Sequence, residues 1–324
     1  MNEDQRWLAA AAALAARARP LSRPNPGVGA ILVREGKVVA RGWTQPGGRP
    51  HAEAVALAQA GDAARGATLY VTLEPCAHLS TRGPSCADLV CASGLARVVV
   101  GCMDPDPRTS GAGLARIRAA GIATEFVASS ACAASLSGYL IRQRRGRPEV
   151  TLKLALSLDG CIALANGKSQ WITGAPARAH THAQRAKADA ILVGGGTLRA
   201  DAPRLDVRLP GLEQRSPARW VLTRSEAPEG WSALRSPEAI GTMEGVQHLF
   251  VEGGAQTAAA FLAAGLVDRL LIYRAPILVG GKPGLADFGL AHLSAAHGRW
   301  HLEERRSLGS DTLEVYSARN PTES

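Results

Sequence analysis

The sequence predicts an α/β protein of two domains, each building its own layered sheet. Three observations carry that expectation. The chain has 324 residues, and roughly 100 to 200 residues per domain makes that about two domains. Short apolar runs of strand type alternate with helix-type patterns through both halves, as they do where helices cover a sheet. A polar, basic stretch, Arg142-Gln143-Arg144-Arg145-Gly146-Arg147-Pro148, separates the two series. Its Gly and Pro mark a boundary between domains 1–145 and 149–324.

Taken in order, residues 7–18 are rich in Ala and Leu and read as a first amphipathic helix. Glu3 and Asp4 stand before them where a signal peptide would be basic. Two β-type runs, 27–33 and 37–42, flank Arg34-Glu35-Gly36 and predict a hairpin. A helix over 52–60, a strand over 68–73, a helix over 86–93, a strand over 97–101 and a helix over 113–120 complete the first series. In the second, strands are expected at 150–156, 189–193, 219–223, 247–251, 269–273 and 312–316, with a helix at 256–264. No repeat relates the two halves.

Composition narrows the function classes. A chain that is 46% hydrophobic and 20% charged can bury cores, which excludes a wholly disordered or collagen-like protein. The longest apolar stretches, 152–158 and 189–193, fall short of the roughly 18 to 20 residues a bilayer demands, so no membrane partner is expected. Six unevenly placed cysteines do not make a disulfide scaffold, and a reducing cytoplasm follows as the expectation. The net charge of +9 suits nucleic acid and phosphorylated small molecules alike. Aromatic residues make up only 4%, with no basic stripe carrying interleaved stacking side chains, which argues against a nucleic-acid partner.

The first half carries a set of residues suited to zinc. His51-Ala52-Glu53 opens the expected helix, and Pro75-Cys76 follows the expected strand, with Cys86 further on. One imidazole and two thiolates supply three zinc ligands and leave a fourth position for water. Glu53, two residues beyond His51, can shuttle protons without binding the metal, which itself lowers the pKa of water toward neutrality. This is the H-x-E and P-C logic of zinc deaminases. Nine residues separate Cys76 from Cys86. Ten steps along one helix would cover about 15 Å, so the chain must turn back through Gly83 and Pro84. Cys91, Cys102 and Cys132 read as small core residues. His78 reads as a substrate contact in preference to a ligand.

The second half offers glycine clusters just after strands, Val193-Gly194-Gly195-Gly196-Thr197 and Val251-Glu252-Gly253-Gly254. Either can be a tight turn or a loop that brings backbone amides to a phosphate. Arg185 can be a solvated helix residue or a phosphate fork, and Trp171 a core anchor or a cofactor contact.

With these residues in view, the sequence resembles a known family. Pro24-Asn25-Pro26-Gly27-Val28-Gly29, His51-Ala52-Glu53, Glu74-Pro75-Cys76-Ala77-His78 and Asp104-Pro105 look, in this order, like the deaminase half of the bifunctional deaminase/reductase family of riboflavin biosynthesis. Lys153 to Gly160, Ser169 to Thr173, Asp201-Ala202-Pro203-Arg204-Leu205 with Arg208, and both glycine clusters resemble its reductase half. The resemblance implies a cytidine-deaminase-like three-layer domain followed by a dihydrofolate-reductase-like domain. It implies Zn2+ on His51, Cys76 and Cys86, Glu53 as the catalytic proton shuttle, and Asn25 and His78 against the pyrimidine. It also implies NADPH beside Ala155, Trp171, Thr197, Asp201, Gly253 and Gly254, with Asp201 catalytic. Lys153, Ser169, Arg185, Leu205, Arg208 and Glu252 would face the substrate. The implied activity is hydrolytic deamination of 2,5-diamino-6-ribosylamino-4(3H)-pyrimidinone 5′-phosphate, then reduction of its ribosyl group, in a homodimer. Three departures stand out. The cysteine loop, Leu79-Ser80-Thr81-Arg82-Gly83-Pro84-Ser85, is one residue longer than usual, Asp106 replaces an Asn, and the stretch from Thr223 to His248 is short. The last leaves a degenerate, inactive reductase domain as an alternative, beside a nucleic-acid deaminase with a non-catalytic binding domain.

Overall fold

A computed structural model describes residues 2–78 and 81–319. The chain divides into two compact units, Met1–Gly146 and Arg147–Ser324.

The first unit runs α1 (Glu3–Ala15), β1 (Gly29–Arg34), β2 (Lys37–Trp43), α2 (Ala52–Ala60), β3 (Thr68–Val71), α3 (Cys86–Cys91), β4 (Arg97–Val100), α4 (Ala112–Ala119), β5 (Ala123–Phe126), α5 (Ser130–Ser135) and α6 (Ser137–Arg145). Helix α1 begins earlier than the Ala-rich run suggests. Asn2 caps it by accepting from the Gln5 amide, and Glu3 and Asp4 sit in the first turn, where the helix dipole favours acids. The hairpin β1–β2 turns on Glu35 and Gly36, both with positive φ, the backbone of the two-residue turn that matches strand twist.

The sheet has the order β2-β1-β3-β4-β5. Alternation along its strands divides the apolar side chains between two faces. Ile31, Val33, Tyr70 and Val99 pack with Leu8 and Ala11 of α1 and Cys132 of α5. Ala30, Leu32, Leu69, Val71, Val98 and Val100 pack with Ala52 and Ala56 of α2, Ala87 and Val90 of α3, and Leu114 and Ile117 of α4. The result is three layers, helix on sheet on helix. Edge strand β5 gave no apolar signal because most of it is exposed. The basic stretch expected as a linker is in part the last turn of α6. Arg142, Arg144 and Arg145 lie where the helix dipole favours cations, and Gly146 ends the helix with φ 66°.

The second unit comprises β6 (Glu149–Leu156), β7 (Cys161–Ala163), α7 (Ala175–Arg185), β8 (Ala190–Gly194), α8 (Gly195–Asp201), β9 (Ala218–Leu222), β10 (Ser232–Leu234), β11 (His248–Val251), α9 (Ala255–Ala263), β12 (Arg269–Arg274), β13 (Lys282–Pro283), β14 (Trp300–Leu308) and β15 (Asp311–Ala318). Its main sheet has the order β10-β9-β8-β11-β6-β12-β15-β14, and β13 pairs with β7 separately. Strands from β10 through β12 pair in parallel, while β15 and β14 continue antiparallel. Helix α9 covers one face through Ala258, Phe261 and Leu262, and Ala177 of α7 packs on the other with Ile191, Phe250 and Tyr273. Helix α7 escapes an apolar pattern search because its buried positions are Ala177, Thr181 and Arg185. Among the described residues, no helix is long and apolar enough to cross a membrane.

Gly42 shows how tightly α2, which carries His51 at its start, lies on β2. A Cβ there would stand 2.1 Å from the Ala52 carbonyl oxygen and 2.7 Å from the Ala56 nitrogen, so the helix would have to withdraw. Gly42→Ala is expected to cost about 1–3 kcal/mol, the range for overpacking, read as a lower midpoint in denaturant unfolding. An unchanged midpoint would show that α2 is not held this closely.

Candidate active sites

His51 is the N-cap of α2, Cys76 lies in the loop after β3, and Cys86 is the first residue of α3, capped by Ser85. His51 Nδ1 stands 3.3 Å from Cys86 Sγ and 3.6 Å from Cys76 Sγ. The Cys86 amide donates to Cys76 Sγ at 3.3 Å, and the Ala87 amide to the Cys76 carbonyl at 3.1 Å. The three ligand atoms all lie within 4.8 Å of one another. The hydrogen bond from Cys86 draws the Cys76 thiol down to about 4, while Cys86 is pushed up by the same contact and by burial. The two sulfurs lie side by side, and the contact between them favours the thiolate form on Cys76. A nitrogen and two sulfurs in this proximity suit zinc better than oxygen-seeking magnesium or calcium.

Glu53 is 3% exposed in the first turn of α2. Burial pushes its carboxyl up to about 7; His51 opposes the shift and Cys76 adds to it. Asn25 reaches the same cluster, its Nδ2 lying 3.2 Å from His51 Nε2 and donating to the Gly48 carbonyl at 3.0 Å. His78 follows closely behind Cys76, and its buried Nδ1 has no hydrogen-bond partner among the described residues. Leu79 and Ser80 of the cysteine loop lie outside the described residues. Sequence reasoning passed over Glu74, whose carboxylate accepts from the Gly111 and Leu114 amides at 3.0 and 3.1 Å and ties the Pro75-Cys76 segment to the start of α4. Asp104 accepts from the Tyr139 hydroxyl at 2.7 Å, and Asp106 pairs with Arg108.

In the second unit, three charged side chains meet. Arg185 of α7 grips Glu252 with two hydrogen bonds, Nε to Oε1 at 2.6 Å and Nη2 to Oε2 at 3.0 Å, and donates Nη1 to the Asp206 carbonyl at 3.0 Å. Lys153 Nζ stands 3.8 Å from Glu252 Oε2. Burial depresses the Lys153 pKa against the pull of Glu252. Burial works to raise Glu252, but Arg185 and Lys153 outweigh it and hold the carboxyl below its ordinary range. Ala155 lies two residues along β6 from Lys153, on the same face, and pairs with Tyr273.

Both glycine clusters end parallel neighbouring strands, β8 and β11, and lead into helices α8 and α9. Thr257 of α9, another residue missed from sequence, packs between them. A Cβ on Gly194 would lie 2.2 Å from its Oγ1, and one on Gly253 would lie 2.4 Å from its Cβ. Thr197 Oγ1 stands 3.3 Å from the Cβ position of Gly254, so these two expected cofactor residues are neighbours. Asp201 is exposed at the end of α8, with no hydrogen bond or ion pair among the described residues. Trp171 is 62% exposed, not a core anchor, and the Arg178 guanidinium lies 4.9 Å from its ring centroid. Ser169 is half-buried. Leu205 is buried with φ 56°, in a loop whose Arg208 is exposed and pairs with Asp206 at 3.5 Å. His182 Nδ1 meets the Asp206 carbonyl and the Arg208 amide, so α7 fixes this loop twice. A buried face of Thr and Arg hid that arrangement from a search for apolar periodicity.

Known proteins share this architecture. The family described as the cytidine and deoxycytidylate deaminase zinc-binding region matches residues 1–102. The RibD C-terminal domain matches 148–239 and 238–313. The riboflavin biosynthesis protein RibD of Escherichia coli (strain K12) is 37% identical across 95% of this chain and 98% of its own. The chain belongs to the RibD family. The RibD of Mycobacterium tuberculosis (strain ATCC 25618 / H37Rv) is 38% identical over 90% of each chain. Among solved structures, Acinetobacter baumannii RibD, form 2, superposes with a TM-score of 0.84 at 33% identity, covering 98% of this chain and 99% of its own. The Thermotoga maritima diaminohydroxyphosphoribosylaminopyrimidine deaminase/5-amino-6-(5-phosphoribosylamino)uracil reductase gives 0.87 at 28% identity, with the same coverage. The fold is thus a cytidine-deaminase-like domain followed by a RibD reductase domain. The two RibD C-terminal matches meet at 238–239, inside the short stretch between Thr223 and His248.

The Glu252 cluster carries a pH signature. A carboxyl with a depressed folded-state pKa stabilises the protein above its unfolded value, and that stability is lost as pH falls through the folded one. Glu252→Gln leaves Arg185 and Lys153 without their counter-charge and is expected to cost about 3–5 kcal/mol at pH 7. In urea unfolding, the gap between the parent and this variant should narrow as pH is lowered below about 4.3, by no more than about 1.4 kcal/mol per pH unit. A gap that stays constant would remove Glu252 from the acid limb.

Proposed function

We propose that this chain carries out two consecutive steps of riboflavin biosynthesis, with a deaminase domain at 1–145 and a reductase domain at 149–324. The observation that carries the reading is the His51, Cys76 and Cys86 cluster with Glu53 buried beside it, in a chain that continues into a RibD C-terminal domain. The substrate is 2,5-diamino-6-ribosylamino-4(3H)-pyrimidinone 5′-phosphate. Deamination replaces a ring amine by oxygen and releases ammonia. Reduction then converts the ribosyl group to ribityl.

His51, Cys76 and Cys86 would hold zinc, which would supply the Lewis acidity that makes water nucleophilic near neutral pH. Glu53 takes a proton from the attacking water on its carboxylate and returns it to the departing nitrogen. Asn25 and His78 orient the pyrimidine, and the unpartnered His78 Nδ1 supports that role. In the reductase domain NADPH, once bound, would supply the hydride. Ala155, Trp171, Thr197, Asp201, Gly253 and Gly254 would hold the cofactor, and the amides at the start of α9 would favour its phosphates. Lys153, Ser169, Arg185, Leu205, Arg208 and Glu252 form the substrate side. Arg185 and Glu252 act there by fixing the 205–208 loop, leaving exposed Arg208 to meet the phosphate. Asp201 orients the reactants or assists the proton transfer that opens the ribose ring.

The setting is a cytoplasmic homodimer without nucleic-acid or membrane partners. All six cysteines are free, as suits a reducing compartment.

Glu53→Gln tests the mechanism. The variant is expected to keep its zinc but release ammonia roughly 10²- to 10⁴-fold more slowly, because an amide cannot accept the proton. It should still oxidise NADPH on already deaminated substrate. Near-normal ammonia release would remove Glu53 from the chemistry.

A further inference from the structure

Among the described residues, one cation close in sequence to the metal ligands has no carboxylate partner. Arg49 sits two residues before His51 and is half-buried. Some arginines of the first unit have carboxylate partners: Arg97 with Asp4 and Glu125, Arg108 with Asp106, Arg116 with Asp88. Arg49 has neither a carboxylate nor a hydrogen-bond partner among the described residues. Its Nη1 lies 3.8 Å from where a Cβ on Gly83 would stand, which brings it beside the Gly83 end of the segment between the two cysteines. Arg82 of that loop donates Nη2 to the Gly47 carbonyl at 3.2 Å and binds the two segments together.

The backbone that presents Arg49 is fixed. Gly48 has φ 82°, and a Cβ there would stand 2.7 Å from Asn25 Cγ. The Gly48 carbonyl also accepts from Asn25 Nδ2. Arg49 therefore projects from a segment locked to the same Asn25 that touches His51. A half-buried guanidinium without a partner is poised for an anion, and its planar fork suits phosphate oxygens.

We propose that Arg49 binds the phosphate monoester of the substrate in the deamination site and makes that site selective for phosphorylated pyrimidines. The inference rests on the deaminase reading above and adds a specificity-determining residue to it.

The test is steady-state ammonia release by the zinc-loaded full chain, on the phosphorylated substrate and on the same compound with its phosphate removed. The quantity read is the ratio of the two kcat/KM values. Arg49→Gln should lower that ratio by about 10- to 100-fold, the worth of a charge-assisted contact, through KM on the phosphorylated compound. Arg49→Lys keeps the charge without the fork and should recover part of the ratio. Zinc content, measured alongside, separates a lost phosphate contact from a damaged metal centre. A ratio unchanged in Arg49→Gln, or one that falls only where zinc is lost, overturns the proposal. If the parent chain releases no ammonia from either compound, the deaminase reading fails and this inference fails with it.

Discussion

His51, Cys76 and Cys86 come from three separate segments, and their ligand atoms approach within 4.8 Å only because α2, the end of β3 and the start of α3 share one face of one sheet. Each contact behind them serves that approach. Gly42 lets α2 lie against β2, Glu74 ties the Pro75-Cys76 segment to α4, and the Cys86 amide reaches back to Cys76 Sγ. Two thiolates this close repel one another, and the charge of Cys76 adds to the upward push on Cys86. A divalent cation relieves that repulsion, so the packing that creates the cluster also creates its affinity.

The second unit solves a related problem with fixed charges. Lys153, Arg185 and Glu252 are brought together from β6, α7 and the loop after β11. One carboxylate between two cations is tolerable where it is paired on both sides. The pairing also turns Arg185 into a strut, since its remaining Nη1 holds the Asp206 carbonyl. A loop with Leu205 in a left-handed conformation is thereby kept in place, with Arg208 at its exposed end.

Much of this was legible in the sequence, for identifiable reasons. Strands β3, β4, β8 and β11 are short, largely buried apolar runs, and such runs announce themselves. The metal set was legible because zinc demands specific side chains in a helix-start and loop context. What stayed hidden had weak apolar contrast. Strand β14 carries Glu303, Glu304, Arg305 and Arg306 in an exposed row and is held by pairing with β15. Helix α7 buries Ala, Thr and Arg, and Glu74 and Thr257 act through backbone contacts that residue type alone does not reveal. Arg49 was hidden for a further reason: its significance lies in the absence of a partner, which only the fold displays.

One chain carrying two separate sites is the central claim, and the product made with and without NADPH tests it most directly. Mass spectrometry of the pyrimidine after incubation with the zinc-loaded full chain should find the deaminated compound with its ribosyl group intact when NADPH is withheld. With NADPH present, the deaminated ribityl compound should replace it. Recovery of the same ribosyl product under both conditions would contradict the account.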